Sequence, residues 1–447
     1  MNISSIMQKY AHTLKNCTLN TGTIFDLATG DFRPGKNGQQ ILNGGLFLTN
    51  AVTGRPQTYK TSTSMGYFTR ALRNYNESKG LCYETEMSLQ GVDRVVALSG
   101  NPNDDDLRSR FEYYDNTELA LEDLFDVIKS IAKDKDKNKK DLVRETPFID
   151  KDGKYIKSWV PTIIGIDSWS AASSLKELSL YDEHQIGDSK TNMVAMNDGR
   201  IKSVFARQLP YICGARGIYI VSTAHIGNNI KLDPYSAPTK DLPMMRANDK
   251  LKSVGTQYSF LAMNMVETRK VEPLLDSKKK CLYPSENCTS DVELQKITSF
   301  ITRCKNNISG SSFDHISSQF TGIQEYLEYY MLIVDSKSAL IEGRDNQKLG
   351  ITDHEFNRLS IRKLIASDYT FCRALEILGQ FVFVRNRWNI PIIKNMGYVE
   401  FCKKFNASAS LKEEMLNSTG IWDFIGSKGK RPYMSIMDIV NKINAVK

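Results

Sequence analysis

One segment of the chain has the residue types and spacing of a phosphate-binding loop. Residues 54–61 read GRPQTYKT, follow the apolar run FLTNAV and precede a predicted helix over Ser62 to Tyr75. This is the G-x-x-x-x-G-K-[ST] frame, with Tyr59 where the second glycine is expected. Such a loop surrounds phosphate oxygens with backbone N–H groups, while its lysine reaches the terminal phosphates and its hydroxyl binds Mg²⁺. The motif alone leaves a chance strand–turn–helix open. The predicted nucleotide-binding residues are Gly54, Arg55, Pro56, Gln57, Thr58, Tyr59, Lys60, Thr61 and Ser62.

Carboxylates end two further strand candidates. LCYETE (81–86) places Glu84 and Glu86 at its carboxyl end, and TIIGID (162–167) ends in Asp167. In parallel sheets ligands bind at that edge. Either glutamate could hold a water for in-line attack on a γ-phosphate, and Asp167 could bind Mg²⁺ through a water. Ordinary strand-end carboxylates are the alternative.

A third polar strand end is GIYIVSTAH (217–225), which delivers Ser222, Thr223 and His225. His225 could sense the γ-phosphate. A lone histidine that merely satisfies its own hydrogen bonds is the alternative interpretation.

The surrounding pattern predicts an α/β fold. From Leu46 to Ile341, short apolar runs alternate with helix-length segments, which favours a mostly parallel sheet flanked by helices. Further strand candidates are RVVAL (94–98) and FLAMNMV (260–266), and the helix candidates include Thr117 to Lys133 and Arg358 to Val382. We predict an N-terminal arm over 1–42, which would serve in polymerisation, a core over 43–342 and a small helical C-terminal domain over 343–447.

Composition limits the class of protein. Of 447 residues, 41% are hydrophobic and 25% charged, which excludes a disordered or fibrous chain. Lys and Arg number 59 against 51 Asp and Glu, and this net charge of +8 is compatible with a polyanion partner without establishing one. No apolar stretch reaches a membrane span and the N-terminus lacks a secretion signal, so we expect an intracellular protein without a membrane partner. The eight scattered cysteines predict reduced thiols.

Together these motifs resemble a known family. GRPQTYKTS, CYETE, TIIGIDSWSAASSLKE and IVSTAHIG resemble, in this order, the motifs of UvsX-type phage strand-exchange recombinases, which carry an aromatic residue before the loop lysine. The resemblance covers about residues 40–330 and implies a RecA-like P-loop ATPase core that uses ATP and Mg²⁺. It implies that Glu86 is the general base, that Lys60 and Thr61 bind phosphate and Mg²⁺, that Asp167 is the second metal-site acid, and that His225 is the γ-phosphate switch.

The resemblance also implies contacts beyond one subunit's nucleotide. In RecA-like filaments a neighbouring subunit supplies cations from a strand that contains the sequence K-N-K. The corresponding run here is ITRCKNN (301–307), in which Lys305 matches the first lysine and Asn307 stands in place of the second. Arg303 is a possible substitute for the missing lysine. Two loops that hold single-stranded DNA correspond to residues 181–200 and 227–255, where cations attract phosphates and a tyrosine can stack on bases. The candidate DNA-binding residues are Lys231, Tyr235, Lys240, Arg246, Lys250 and Lys252.

The implied function is that of an ATP-dependent homologous recombinase. It would be a DNA-dependent ATPase that forms helical homo-oligomeric filaments on single-stranded DNA, pairs them with double-stranded DNA and exchanges strands in phage recombination, repair and replication. We expect it in the bacterial host cytoplasm or a phage replication compartment, with single-strand-binding and mediator proteins as partners. A RecA-fold hexameric replicative DNA helicase is the alternative, disfavoured because only about 42 residues precede the core, and a nucleotide-binding protein without catalysis is a third possibility.

Overall fold

The structure is a computed structural model that describes residues 14–89, 91–115, 119–184, 194–229, 240–286 and 290–446. The strands are β1 (Asp31–Pro34), β2 (Gln40–Asn43), β3 (Thr49–Gly54), β4 (Lys79–Glu84), β5 (Phe111–Asp115), β6 (Val143–Ile149), β7 (Tyr155–Trp159), β8 (Thr162–Asp167), β9 (Ile218–Asn228), β10 (Asp249–Leu251), β11 (Asn264–Pro273), β12 (Leu294–Cys304), β13 (Ser312–Ser318), β14 (Gly322–Ile323), β15 (Ile341–Glu342), β16 (Gln347–Leu349) and β17 (Glu355–Phe356). The helices are α1 (Ile24–Thr29), α2 (Lys60–Asn74), α3 (Val92–Ala97), α4 (Asp105–Arg108), α5 (Leu121–Lys137), α6 (Lys139–Leu142), α7 (Leu175–Glu183), α8 (Val194–Gly214), α9 (Tyr258–Leu261), α10 (Glu325–Asp335), α11 (Ile361–Ser367), α12 (Tyr369–Arg387), α13 (Pro391–Lys394), α14 (Tyr398–Phe405), α15 (Ala409–Leu416) and α16 (Ile436–Ala445).

A large central sheet organises these elements. Its strand order is β14-β13-β12-β11-β3-β9-β8-β4-β5, and β10 pairs with β9 as a short antiparallel addition. The run from β11 to β5 is parallel throughout, whereas β12, β13 and β14 continue it antiparallel. The predicted α/β class with a mostly parallel sheet is confirmed, and so is the helical character of the C-terminal region.

Side chains alternate between two cores, one on each face of the sheet. In β8, Ile163 belongs to one buried cluster and Ile164 to the other. The first cluster includes α2, α12 and the N-terminal helix α1, and the second includes α5 and α8. Because both faces are covered, the central strands read as continuous apolar runs.

Helix α2 lies close against the sheet because glycines face it. A Cβ on Gly165 would lie 3.2 Å from the Met65 side chain, and one on Gly80 would lie 2.8 Å from Leu72. This packing fixes the first turn of α2, which carries Lys60 and Thr61, relative to the strand ends.

Three sequence predictions are corrected in detail. RVVAL lies mostly in helix α3, not in a strand: Val95 and Val96 are buried there, and a short apolar run cannot by itself distinguish the two conformations. FLAMNMV is divided between α9 and the start of β11. The helical run predicted from Arg358 is interrupted at Asp368, whose side chain caps α12 by accepting a hydrogen bond from the Phe371 backbone N–H.

Two further features concern the described residues. No helix among them is long and apolar enough to cross a membrane. The seven cysteines in these ranges are unpaired thiols, as predicted, and Cys288 lies outside them.

Candidate functional site

Four neighbouring parallel strands bring the predicted polar residues to one edge of the sheet. In register, Gly54 of β3 pairs with His225 of β9, and Glu84 of β4 pairs with Asp167 of β8. Because β9 and β8 are themselves neighbours, the carboxyl ends of β3, β4 and β8 lie beside the carboxyl half of β9. The carboxyl edge of a parallel sheet is where such folds bind ligands.

The predicted phosphate loop has a left-handed residue at the position where the motif has its second glycine. Tyr59 has φ 62° and ψ 28°, a left-handed conformation that usually selects glycine. Tyr59 thus has a conformation that glycine adopts without steric cost. Gly54 is required for space, since a Cβ there would lie 2.4 Å from the Thr268 hydroxyl and 2.5 Å from that of Thr58.

Lys60 is held inside the loop. Its Nζ donates to the backbone carbonyl of Arg55 at 3.0 Å, and the Thr58 hydroxyl donates to the same carbonyl at 2.8 Å. The Lys60 side chain is largely buried, and this burial lowers its pKa, an effect opposed by the nearby charges of Glu86 and Asp167. The ammonium is therefore poised over the loop with a neutral carbonyl as its acceptor.

Asp167 is buried at this edge, with 1% of its surface exposed. The hydroxyl of Thr223 donates to its Oδ1, and the Ser88 hydroxyl donates to its Oδ2 at 3.3 Å. Burial raises its pKa from 3.8 to about 6, partly offset by hydrogen bonds from Thr223 and Thr61. This carboxylate has hydroxyl neighbours and no cationic partner strong enough to offset its burial.

Glu84 and Glu86 have different surroundings. Glu84 is fully buried, and its Oε1 accepts the backbone N–H groups of Glu86 at 2.7 Å and Ser88 at 3.0 Å. It therefore closes the turn after β4. Glu86 lies within that turn and is only partly buried, so it is the glutamate available to the site.

Glu86 forms a hydrogen-bonded group with two neighbours. Its Oε1 contacts His225 Nε2 at 2.5 Å and accepts from the Ser168 hydroxyl. The hydrogen bond from His225 is the main reason that the pKa of Glu86 lies below its ordinary value, and Ser168 and the Lys60 charge act in the same direction. Glu86 is thus ionised at neutral pH and linked directly to the end of β9.

The donor set fits a hydrated Mg²⁺ ion better than a soft transition metal. The hydroxyls of Thr61 and Ser88 and the carboxylate of Asp167 supply oxygen, the donor that Mg²⁺ prefers, and Thr61 is hydrogen-bonded to Asp167. Within the described ranges there is no cluster of three or more His, Cys, Asp or Glu side chains suited to a metal. A magnesium ion with one carboxylate, a hydroxyl, waters and phosphate oxygens needs none.

Lys305 lies at the opposite edge of the sheet. Its backbone N–H donates to Met263, next to Asn264, which pairs with Asn50 near the beginning of β3. The length of β3, about 17 Å at roughly 3.3 Å per residue, therefore separates it from the phosphate loop of its own chain. The Lys305 side chain is exposed, and its pKa is lowered by partial burial and by Arg303.

The two residues considered with Lys305 have other partners. Arg303 donates to the Ser259 carbonyl at 2.7 Å, and the Asn307 amide donates to the Gly30 carbonyl. Of this segment, Lys305 is thus the residue positioned to reach another molecule.

The candidate DNA-binding residues are partly described. Lys231 and Tyr235 lie outside the described residues. Lys240, Arg246, Lys250 and Lys252 are exposed, and the Lys240 ammonium donates to the Pro243 carbonyl. Between them Leu242 and Met245 are buried, so this part of the segment is anchored to the second core.

Sequence reasoning missed two residues of the site. These are Ser88 and Ser168, which contact Asp167 and Glu86. Arg55 was predicted as a residue of the loop, but its contact with the β9–β10 hairpin was not. Thr223 was named with His225 as a polar residue of its strand, and the two share a face because alternate residues of a strand do so. Ser88 and Ser168 lie in turns that follow strands, where the alternation of residues does not predict the direction of a side chain.

Comparison with known proteins finds similarity among solved structures only. No protein-family model matches the chain, and no curated protein matches it. Among solved structures, a crystal structure of the RadB recombinase is similar at 14% sequence identity and a TM-score of 0.36, over 69% of this chain and 99% of the other. At this level the similarity assigns neither a family nor a function.

Proposed function

We propose that this chain is a RecA-like ATPase that acts as an ATP-dependent homologous recombinase. The observation that carries the proposal is the convergence of Lys60, Thr61, Asp167, Glu86 and His225 at one sheet edge. Nucleotide hydrolysis coupled to a conformational change needs four elements: a phosphate loop, an oxygen-donor metal site, an ionised acid and a polar residue linked to that acid.

Each residue has a definite task in this proposal. Lys60 leaves the Arg55 carbonyl and donates to the terminal phosphates, and Thr61 and Asp167 hold Mg²⁺. A bound Mg²⁺ ion would neutralise phosphate charge. Glu86 accepts a hydrogen bond from the attacking water and orients it, since its carboxylate is already ionised. Ser168 and His225 fix the direction of that carboxylate.

The proposal extends to DNA through β9. His225 contacts Glu86 through its ring and accepts the Lys252 backbone N–H at its carbonyl, at 2.9 Å. A shift of His225 with the state of the nucleotide therefore moves β10 and the residue that follows it, which carry exposed Lys250 and Lys252. Cations on this segment would attract the phosphates of single-stranded DNA. A filament on that strand, with ATP between subunits, would then pair with duplex DNA and exchange strands, as the motif resemblance to phage recombinases implies.

The test is the nucleotide dependence of DNA binding in Lys60→Ala. We expect single-stranded DNA to bind the wild-type chain about tenfold or more tightly with a non-hydrolysable ATP analogue, and the variant to lose this dependence together with ATP turnover. Lys79→Ala is the matched control, because Lys79 is exposed at the amino end of β4, the edge away from the site. Unchanged turnover and DNA affinity in Lys60→Ala would refute the proposal. Negative-stain images of the DNA complex separate filaments, which we expect, from the closed rings of a helicase.

A further inference from the structure

Arg55 joins the phosphate loop to both strands of the β9–β10 hairpin. Its NH2 group donates to Asn228 Oδ1 at 2.8 Å and to Asp249 Oδ1 at 2.8 Å. Asn228 and Asp249 are themselves partners in the antiparallel register of β9 and β10. One guanidinium thus holds the pair that closes the stem of the hairpin.

The main chain of Arg55 is equally involved in the site. Its carbonyl is the acceptor for the Lys60 ammonium at 3.0 Å and for the Thr58 hydroxyl at 2.8 Å. A phosphate that engages Lys60 removes the first of these hydrogen bonds. The carbonyl of Arg55 therefore responds to phosphate, while its side chain holds the hairpin.

The contact with Asp249 is unlike an exposed surface ion pair. The Asp249 side chain is 3% exposed, against 45% for Arg55, and its Oδ2 is buried without a hydrogen-bond partner among the described residues. A buried carboxylate that loses its cation is strongly disfavoured. Asp249 therefore keeps the hairpin attached to Arg55, and movement of the loop at this residue is transmitted to the stem.

The strand held in this way carries the exposed lysines. Lys250 follows Asp249 directly and pairs with Gly227, and the Lys252 ammonium donates to the Asn228 carbonyl at 3.2 Å. The contact between His225 and Glu86 reaches the same hairpin through β9, whereas Arg55 also reaches it through β10. The hairpin is thus connected to the site at two separate points.

We propose that Arg55 is a positioning residue through which phosphate binding at the loop sets the placement of the β9–β10 hairpin and of its exposed lysines. This inference rests on the proposed function, since the hairpin is assigned there to single-stranded DNA. It adds a contact distinct from the histidine at the end of β9.

The experiment measures the coupling between two ligands in the full chain. A fluorescent oligothymidine is titrated with and without a non-hydrolysable ATP analogue, and the ratio of the two Kd values is the coupling factor. The test variant is Asp249→Asn, which removes the charge but keeps the shape. The control is Asp276→Asn: Asp276 pairs with Arg358 at 2.9 Å, with 12% and 48% of the two side chains exposed, away from the phosphate loop.

The expected result is a loss of coupling without a loss of nucleotide binding. In Asp249→Asn the coupling factor falls to near one, while affinity for the analogue alone stays within about threefold of wild type, and Asp276→Asn keeps the full factor. Arg55→Ala should also lose the coupling. Because the Arg55 side chain is half exposed, this variant serves as the test if Asp249→Asn does not fold. Coupling retained within about twofold in the folded variants overturns the inference but leaves the proposed function standing. A wild-type chain without any coupling overturns both.

Discussion

Replacing Asp167 by asparagine should stabilise the protein while it abolishes ATP turnover. Burial raises the pKa of this carboxyl from 3.8 to about 6, so at neutral pH the folded chain holds a charge that its surroundings disfavour. Asparagine keeps the shape, can accept from Thr223 and carries no charge. Turnover fails because the oxygen donor for Mg²⁺ loses its charge.

The size of the gain follows from proton linkage. Between pH 3.8 and about 6 the folded chain binds more protons at Asp167 than the unfolded chain, so this group makes unfolding easier as pH rises through that window. Above the window the cost is constant at about 3 kcal/mol, from roughly two pKa units at about 1.4 kcal/mol each. Asp167→Asn should recover a large part of it at about pH 7.5, roughly half as much at about pH 5, and little near pH 4.

The assay is equilibrium denaturation at these pH values, without nucleotide or Mg²⁺, followed by tryptophan fluorescence. Asp249→Asn serves as the control, because Asp249 is equally buried but paired with Arg55, so its neutralisation should not stabilise. Saturating Mg²⁺ with nucleotide should reduce the difference in unfolding free energy between Asp167→Asn and wild type, since only wild type gains binding energy. The reasoning fails if Asp167→Asn is less stable than wild type at about pH 7.5, or if its gain does not decline with falling pH.

Two further predictions concern catalysis. Glu86→Gln should lower ATP turnover by about a hundredfold or more with nucleotide affinity retained. Glu84→Gln should mainly lower the unfolding midpoint, because Glu84 closes a turn. Equal effects of the two variants in single-turnover hydrolysis and in thermal melts would contradict the assignment. Mixing Lys60→Ala with Lys305→Ala should restore part of the ATP turnover that each variant lacks alone. The reason is that Lys305 lies at the far edge of the sheet and can serve only a neighbour's phosphate loop. Each variant alone is the control, and no recovery of turnover on mixing would argue against action between subunits.

The strands that form the site could be predicted because each joins two independent signals. In β8 and β9 a continuous apolar run indicates a strand covered on both faces, and the polar residue that ends it marks the carboxyl edge. The run RVVAL lacked the second signal and proved to be helix α3, whose Arg94 donates to the carbonyls of Phe320 and Gln319. The domain boundaries stay predictions, although residues from 17 to 443 share one buried cluster.

Contacts between distant segments could not be predicted from local patterns. Arg55 and Asp249 are 194 positions apart, and their meeting depends on the pairing of β10 with β9 beside β3. The choice between Glu84 and Glu86 was open for a related reason, since two acids at alternate positions look alike until the turn after β4 is known. Backbone N–H groups of that turn occupy Glu84 and leave Glu86 to His225.

The pKa shifts of Lys60 and Asp167 agree with the proposal that these two groups bind a ligand and not each other. In a structural ion pair the carboxyl pKa falls and the ammonium pKa rises. Here Asp167 and Lys60 shift in the opposite directions, because burial outweighs their mutual attraction in both cases. Phosphate beside Lys60 and a divalent cation beside Asp167 would each reverse the shift. Glu86, whose pKa is lowered by His225, has its partner in place already and remains an ionised acceptor. This contrast fits the proposed site. The burial of Lys60 and Asp167 costs stability, whereas Glu86, the acid proposed to orient water, is already ionised and hydrogen-bonded without a ligand.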